Sequence, residues 1–234
     1  APTQTTTITN IVDDVAPQTG DVASGGTTND VTPTVEGNID TVLSSDEVVA
    51  VYRDGIKVGT ADVTNTTWSF EDTALVDGVS YSYTARVEDA AGNQGSESNN
   101  YAINLDTTAP TQSVIITTVT DDVDPVQGIV AKGGTTNDID PLVAGTISAA
   151  LETGEVVVVL RDGVVIGNAT VSGTTWSYDD ANLDDGQTYI YTARVEDAAG
   201  NRGAISGNYS IEVDTSAPTQ TTTITNIVDD VAPQ

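Results

Sequence analysis

Residues 77–83 read Asp-Gly-Val-Ser-Tyr-Ser-Tyr, and residues 185–191 repeat the pattern as Asp-Gly-Gln-Thr-Tyr-Ile-Tyr. An Asp-Gly pair next to alternating side chains is typical of a turn that leads into a β-strand. The first stretch therefore predicts a turn followed by a strand near residues 80–88. Tyr81 stands at the start of that strand, and Tyr83 follows two residues later.

The pattern recurs because the chain is an internal repeat. Residues 1–18, APTQTTTITNIVDDVAPQ, return unchanged at 217–234, and a diverged form begins at residue 109. The period is 108 residues, since 109 − 1 = 108 and 217 − 109 = 108, and this length indicates domain-sized units and not a solenoid. The sequence predicts two complete domains, repeat 1 at 1–108 and repeat 2 at 109–216, and the first strand of a truncated third repeat at 217–234.

Each repeat reads as β structure throughout. Alternating apolar runs between turn signals predict seven strands in repeat 1, near residues 5–12, 33–39, 47–53, 56–63, 66–71, 80–88 and 100–105. Residues 53–56 predict a tight hairpin because Asp-Gly supplies the positive φ angles that such turns need. Seven strands in about 100 residues predict an immunoglobulin-like β-sandwich. Tyr81 stands where that architecture places a tyrosine corner, and we expect Trp68 and Trp176 in the cores.

The composition excludes several classes of function. Asp and Glu number 35 against 7 Lys and Arg, for a net charge of −28, so binding to nucleic acid or to an anionic membrane surface is not expected. No apolar run is long enough for a membrane span, so membrane insertion is not expected either. The chain has no Cys, Met or His, which removes thiolate and imidazole chemistry and His-ligated metals. We therefore expect no enzyme and no disulfides. Packing or metal ions must stabilise the domains.

One end of each predicted sandwich collects carboxylates. The connection after the first strand and the loop before the sixth strand meet there, and the sequence places no Lys or Arg beside them. Such a cluster repels itself unless it holds a cation, and Ca²⁺ takes six to eight oxygen ligands of these kinds. The predicted calcium ligands at this end are Asp13, Asp14, Asn29, Asp30, Asp72 and Asp77 in repeat 1, and Asp121, Asp122, Asn137, Asp138, Asp180 and Asp185 in repeat 2.

A second carboxylate cluster is predicted between the repeats. Asp106 begins a short linker that contains Pro110, and repeat 2 offers a turn at residues 196–201 to meet it. A calcium ion there would fix the angle between the domains. The predicted ligands at this junction are Asp106, Glu155, Glu196 and Asp197. Glu47, Glu88 and Asp89 would face a preceding repeat in the same way, and Asp214 would face the third copy.

A simpler interpretation of the acids is also open. Asp and Asn favour turns, and a high negative charge keeps an exported protein in solution. Under this interpretation the carboxylates bind no metal.

The combined motifs resemble the bacterial Ig-like tandem repeats of giant biofilm-associated and RTX-type surface adhesins, which are exported by type I secretion. The motifs that carry the resemblance are residues 13–15, 25–30, 53–55, 68–70, 75–78, 84–93 and 106–110. The resemblance implies extender domains with calcium at their junctions and a location outside the cell, on the bacterial surface. Because the chain starts with Ala, we expect it to be an excerpt of a longer polypeptide.

We therefore expect structural extender repeats that calcium makes rigid, so that they project a distal adhesive region for cell adhesion or biofilm formation. The expected partners are neighbouring repeats of the same chain, and the expected form is a monomeric extended rod. The main alternative is a calcium-dependent binding module for a glycan or a host protein. A glycosidase that uses two carboxylates and calcium-dependent pairing of like chains, as in cadherins, are further alternatives.

Overall fold

The structure is a computed structural model that describes residues 1–228. The all-β prediction is confirmed, because the described residues form twenty β-strands in four five-stranded sheets and contain no helix. The strands of repeat 1 are β1 (Thr6–Asp13), β2 (Gly20–Asp21), β3 (Gly26–Thr28), β4 (Thr34–Ile39), β5 (Glu47–Arg53), β6 (Ile56–Thr60), β7 (Asp62–Thr64), β8 (Thr67–Glu71), β9 (Ser80–Asp89) and β10 (Tyr101–Leu105). The strands of repeat 2 are β11 (Val114–Asp121), β12 (Gly128–Val130), β13 (Gly134–Thr136), β14 (Leu142–Ile147), β15 (Val156–Arg161), β16 (Val164–Asn168), β17 (Thr170–Ser172), β18 (Thr175–Asp179), β19 (Thr188–Glu196) and β20 (Tyr209–Val213).

Each repeat packs two sheets around one core. In repeat 1 the strand orders are β2-β1-β4-β8-β7 and β3-β10-β9-β5-β6, and repeat 2 has the corresponding orders β12-β11-β14-β18-β17 and β13-β20-β19-β15-β16. All pairings are antiparallel except β3 with β10 and β13 with β20. Side chains alternate between core and solvent along the strands, as in Thr6–Asp13, where Ile8 and Ile11 are buried. Two separate apolar cores result, one for each repeat.

The aromatic residues sit as the sequence predicts. Tyr81 accepts a hydrogen bond at its Oη from the backbone N–H of Val76 at 2.7 Å, which makes a tyrosine corner at the start of β9. Tyr189 does the same for Asp184 in repeat 2 at 2.8 Å. Trp68 and Trp176, on β8 and β18, are 3% and 2% exposed, so both belong to the cores.

The hairpin between β5 and β6 also forms as predicted. Its two turn residues, Asp54 and Gly55, have φ angles of 52° and 77°, and Arg53 pairs with Ile56 across the turn. Register in this hairpin is thereby set by the turn itself.

Two details differ from the strand prediction. The single strand expected at 56–63 is split into β6 and β7, which belong to opposite sheets. The chain crosses between the sheets at Ala61, and Phe70 of the opposite sheet packs on Gly59, where a side chain would collide with its ring. The connection between the strands expected at 5–12 and 33–39 was expected to be a loop, yet it contains β2 and β3. The last of these pairs with β10 in the other sheet.

The tail at residues 217–228 forms no strand. Its apolar side chains Ile224, Ile227 and Val228 are 84%, 88% and 75% exposed. In repeats 1 and 2 the corresponding strands pair with β4 and β14. The first strand expected at 217–234 stays a prediction, and residues 229–234 lie outside the described part of the chain.

Candidate junction site

Residues 13–30 bring two buried carboxylates together at the end of repeat 1 that faces repeat 2. Asp13 and Asp30 are 4% and 1% exposed. Asp13 accepts hydrogen bonds from Val15 N–H at 2.7 Å and from the Thr28 hydroxyl at 2.5 Å. Burial raises the pKa of the Asp13 carboxyl, and the negative charge of Asp30 adds to this effect. Asp14 is exposed, and only its backbone N–H contacts Asp30, at 3.3 Å.

The same network recurs in repeat 2. Asp121 and Asp138 are buried, and Thr136 donates to the first and accepts from the backbone N–H of the second. Asp122 is exposed. Asn137 donates to the backbone carbonyl of Asp124 at 2.9 Å, whereas the Oδ1 atom of Asn29 is buried without a hydrogen-bond partner. Most oxygens of the buried aspartates are held by their own loop, which favours the turn-forming interpretation for this cluster.

Asp72 forms a salt bridge with an arginine. The expectation of no Lys or Arg at this end of the sandwich is therefore wrong. Both carboxylate oxygens of Asp72 accept from the Arg53 guanidinium, at 2.9 and 2.8 Å. The Tyr83 hydroxyl donates to the same carboxylate at 2.7 Å. Burial and this hydrogen bond raise the pKa of Tyr83. The sequence did not reveal the pair because its partners are 19 residues apart and lie on opposite sheets.

Repeat 2 carries the same buried group, formed by Arg161, Asp180 and Tyr191. In each repeat this salt bridge therefore connects the two sheets, since the arginine ends one sheet's strand and the aspartate follows a strand of the other.

Glu88 and Glu196 also contact basic side chains. Glu88 accepts from Lys57 and Tyr52, and burial together with this contact raises the pKa of the Tyr52 hydroxyl to about 12. Glu196 pairs with Arg194 at 2.6 Å and with Arg202 at 3.3 Å. These pairs lie on a sheet face beside the turns and leave the two glutamates outside the junction cavity described below.

The linker is fixed by an aspartate of the loop before β9. Asp77 accepts from Thr107 N–H at 2.6 Å and from the Thr108 hydroxyl at 2.7 Å, and these bonds lower the pKa of its carboxyl. Asp185 makes the matching bonds to Thr215 and Ser216 in repeat 2. The two aspartates therefore set the direction in which the chain leaves each repeat.

Three of the predicted junction ligands line one cavity. Asp106 of the linker, together with Glu155 and Asp197 of repeat 2, borders a space of about 230 Å³ beside Pro110. We call this space the junction cavity. Its lining is completed by Thr108, Ala109, Thr111, Gln112, Glu152 and Thr153. Four carboxylates and no basic residue border it, so its electrostatic potential favours a cation.

Gln112 is a site residue that the sequence analysis missed. It is 7% exposed, it lines the junction cavity, and its Nε2 donates to Glu155 at 2.6 Å. Its Oε1 is buried without a hydrogen-bond partner. The equivalent Gln4 has its Oε1 bonded by Thr3 N–H at 3.0 Å. The available signal was that both copies keep Ala-Pro-Thr-Gln, at 1–4 and 109–112, while several of the residues that follow differ.

Direct contact between the repeats occurs at the turn that follows β19. Asn201 donates to the backbone carbonyl of Asp106 at 2.8 Å and to the Asp197 carboxylate at 2.9 Å. A Cβ added to Gly200 would lie 3.0 Å from Gln18 and 3.2 Å from Pro17 of repeat 1. Neighbouring Ala199 is 1% exposed. The turn therefore sits against repeat 1.

The counterparts of the junction residues also occur at the two outer ends of the described pair of repeats, where they contact no second repeat. Glu47 accepts from Gln4 at 2.6 Å, and Asp89 closes a turn with Asn93, whose hydrogen bonds lower the pKa of the Asp89 carboxyl. Ala91 and Gly92 of this turn are exposed, in contrast to their counterparts at the junction. At the other outer end, Asp214 borders a cavity of about 570 Å³.

The present side-chain positions do not form a compact metal cluster. Within residues 1–228, no three carboxylates lie close enough together to hold a metal ion. Of the four acids that line the junction cavity, Asp106, Glu155 and Asp197 are half-buried and Glu152 is exposed. Residues 1–228 contain no helix that is long and apolar enough to cross a membrane.

A family model described as a bacterial Ig-like domain matches residues 5–107 and 112–215. The curated protein Exoglucanase B of Cellulomonas fimi is 31% identical to this chain over 204 residues, which is 80% of this chain and 17% of that protein.

Among solved structures, a Bacteroides ovatus protein of a mixed-linkage glucan utilization locus, in complex with a heptasaccharide, covers 92% of this chain and is itself covered over 71% of its length. Its sequence identity is 11% and its TM-score 0.30. The human OSCAR ligand-binding domain covers 80% of this chain and is itself covered over 91%, with 13% identity and a TM-score of 0.29. At these values the structural likeness supports no functional inference.

Proposed function

Because the chain belongs to the bacterial Ig-like domain family, we propose that it forms structural extender repeats of a large bacterial surface protein of the adhesin type. In this role the repeats hold a distal adhesive region away from the cell, and the chain works outside the cell without catalysing a reaction. The observation that carries the proposal is the contact between repeats, where one turn of repeat 2 is buried against a loop of repeat 1.

The burial of the aromatic side chains favours a spacer role over a glycan-binding role. Glycan sites commonly present exposed aromatic faces to sugar rings. In the described part of the chain every Trp, Tyr and Phe is buried or half-buried, and the two Trp rings lie in the cores. A spacer needs only its ends to make contacts.

The match to Exoglucanase B suggests a second setting for the same spacer role. That protein is named for activity on a glucan, and this chain spans 17% of its length. The repeats could thus space the modules of a secreted carbohydrate-acting protein. The glucan activity itself stays a property of the named relative.

We further propose that Ca²⁺ stiffens the junction. The donor atoms fit this ion, because Asp106, Glu155 and Asp197 present carboxylates and Gln112 presents an amide oxygen with no partner. Bound Ca²⁺ would neutralise these acids and join the linker to repeat 2. The loop that contains Asp13 stays a weaker calcium prediction. Both oxygens of Asp13 and of Asp30 accept hydrogen bonds, as do both oxygens of Asp197, whereas Asp106 and Glu155 accept them at one oxygen each.

The repeat supplies its own matched control for this proposal. Asp197 and Asp89 close the same turn with the same hydrogen bonds, but only Asp197 lines the junction cavity. The test compares the chain, Asp197→Asn and Asp89→Asn by small-angle scattering and thermal unfolding, in millimolar calcium and in excess EDTA. Extracellular calcium modules bind at roughly 10⁻⁴ to 10⁻³ M, so millimolar calcium fills such sites.

We expect calcium to raise the unfolding temperature and to make the particle longer and more uniform. Asp197→Asn should lose most of this response, whereas Asp89→Asn should keep it. If calcium changes neither shape nor stability, the acids only form turns and keep the protein soluble, and the calcium proposal is wrong. If both variants lose the response equally, calcium binds elsewhere.

A further inference from the structure

The solvent-facing sides of two equivalent sheets differ in charge. In each repeat the sheet that contains the first strand turns one side to the core and the other side to solvent. The solvent side in repeat 1 carries four carboxylates, those of Asp21, Glu36, Asp62 and Glu71. The residues at the same positions in repeat 2, 108 residues later, are Ile129, Ala144, Thr170 and Asp179. Repeat 2 therefore has one carboxylate on this side where repeat 1 has four.

The other side chains on the solvent side in repeat 2 are aliphatic or carry hydroxyl groups. Ile115, Ile129 and Leu142 are 58%, 67% and 37% exposed, and threonine or aspartate stands at each of these positions in repeat 1. Cross-strand pairing places Thr146 between Ile115 and Thr175. We call the outward side chains of β12, β11, β14, β18 and β17 the repeat 2 face, and none of these described side chains is Lys or Arg.

The exposure of the repeat 2 face does not depend on what adjoins the repeat in the chain. Repeat 1 has repeat 2 packed against its end, and yet Thr7, Asp62 and Glu71 on its equivalent side are exposed. The side of the sheet therefore stays accessible in a repeat that has a neighbour. A partner of the repeat 2 face must come from outside the chain.

Charge determines which partner fits this face. The chain has 35 Asp and Glu against 7 Lys and Arg, so two copies repel each other over most of their surface. A basic partner would bind the acidic regions in preference to this face. The repeat 2 face is where two copies can approach with little repulsion, and the removal of its aliphatic groups from water would stabilise the contact.

We propose that the repeat 2 face packs against the same face of a second copy of this chain. Two sheets pack in this way inside β-sandwiches, about 10 Å apart and with their strands about 30° from parallel. Because the same surface contributes on both sides, the contact has two-fold symmetry and closes as a dimer.

The size of the face predicts weak pairing. Five strands at a spacing of about 4.8 Å, with about five residues each at about 3.3 Å, cover roughly 400 Å² per copy. A pair would therefore bury about 800 Å² in total, whereas stable complexes bury about 1,200–2,000 Å². The chain should stay monomeric in dilute solution. Where many chains are anchored close together, several faces would pair at once and hold neighbouring chains side by side.

The test measures self-association by sedimentation velocity over a concentration series that reaches the millimolar range. EDTA keeps the test independent of calcium, and high salt screens the repulsion between acids. We expect a dimer whose fraction rises with concentration. Ala144→Glu introduces the residue that repeat 1 carries at this position, and it should weaken dimerisation at least about tenfold, since it sets two like charges against each other. Val164→Glu is the matched control, because Val164 is 67% exposed on β16 in the other sheet, and it should leave dimerisation nearly unchanged.

The converse exchange tests the same reasoning in repeat 1. Glu36→Ala combined with Asp62→Thr introduces two residues of the repeat 2 face, so association should increase several-fold and species larger than a dimer should appear. Each of these residues already fits the equivalent strand of the other repeat, and thermal unfolding checks that the fold is kept.

Three results would overturn the proposal. The first is an unsubstituted chain that remains monomeric throughout the series. The second is equal weakening by Ala144→Glu and Val164→Glu, which would place the contact elsewhere. The third is a monomeric chain that is retained on immobilised mixed-linkage glucan and loses this retention in Ala144→Glu, which would show that a glycan covers the face.

Discussion

Repeat 2 should become more stable when Val114 is replaced by threonine. In repeat 1 the indole N–H of Trp68 donates to the Thr6 hydroxyl at 3.0 Å, and Thr6 donates onward to the carbonyl of Asn38 at 3.2 Å. In repeat 2 the corresponding Trp176 has its indole N–H buried without a partner, because Val114 stands in the place of Thr6. Val114→Thr would supply the missing acceptor.

The magnitude follows from two opposing effects. An unsatisfied buried donor costs about 1–3 kcal/mol. Exchanging a buried methyl group for a hydroxyl loses about 0.8 kcal/mol of apolar burial. The difference between these effects is a gain of about 1 kcal/mol in the free energy of unfolding of repeat 2 for Val114→Thr. The estimate assumes the same packing, because Val114 is 4% exposed and threonine has nearly the same shape. Thr6→Val should cost repeat 1 a similar amount. For a domain of this size 1 kcal/mol shifts the unfolding temperature by about 4–8 °C.

Single-tryptophan backgrounds separate the two repeats. Trp68→Phe leaves Trp176 to report on repeat 2, and Trp176→Phe leaves Trp68 to report on repeat 1, with unfolding in urea followed by fluorescence. Ile115→Thr is the control, because this side chain is 58% exposed on the same strand and points away from the indole. If Val114→Thr lowers the stability of repeat 2, or if Thr6→Val leaves repeat 1 unchanged, the indole hydrogen bond does not decide the difference.

The remaining predictions concern the buried arginine, the junction turn and a buried acid. Arg53→Met should destabilise repeat 1 by about 3–5 kcal/mol because it leaves a buried carboxylate unpaired, while Arg86→Met, which breaks a partly exposed pair, should cost no more than about 1 kcal/mol in urea unfolding. Gly200→Ala and Gly92→Ala should strain their turns equally, at φ angles of 88° and 82°, but only Gly200→Ala should change the small-angle scattering profile. The raised pKa of Asp13 means that its ionisation opposes folding, so the stability of the chain relative to Asp13→Asn should fall as pH rises through that pKa. A stability difference that does not vary with pH would contradict it.

Local signals in the sequence were sufficient for much of the fold. The Asp-Gly hairpin, the tyrosine corner and the buried tryptophans depend on a few neighbouring residues and on side-chain alternation. The split between β6 and β7 was not predictable in this way, because it depends on Phe70 arriving from the opposite sheet at Gly59.

The candidate site was less accessible to sequence reasoning because carboxylates look alike in sequence. The acids of the predicted calcium set serve at least three purposes in the structure. Asp72 is neutralised by arginine, Asp77 fixes the linker, and Asp106 lines the junction cavity. Only the three-dimensional neighbours of each acid separate these roles, and those neighbours come from distant parts of the chain.

The most informative comparison is between identical residues in different surroundings. The turn Asp-Ala-Ala-Gly-Asn occurs at 89–93 and at 197–201 with the same hydrogen bonds, yet the first is exposed and the second is packed against another domain. If the junction is the functional unit, its effects must follow the number of junctions and not the number of repeats. The two repeats described here form one complete junction, so the calcium response assigned to Asp197 should be present once per chain. A chain with one more repeat should then bind twice as much calcium at its junctions, and a single repeat should bind none there.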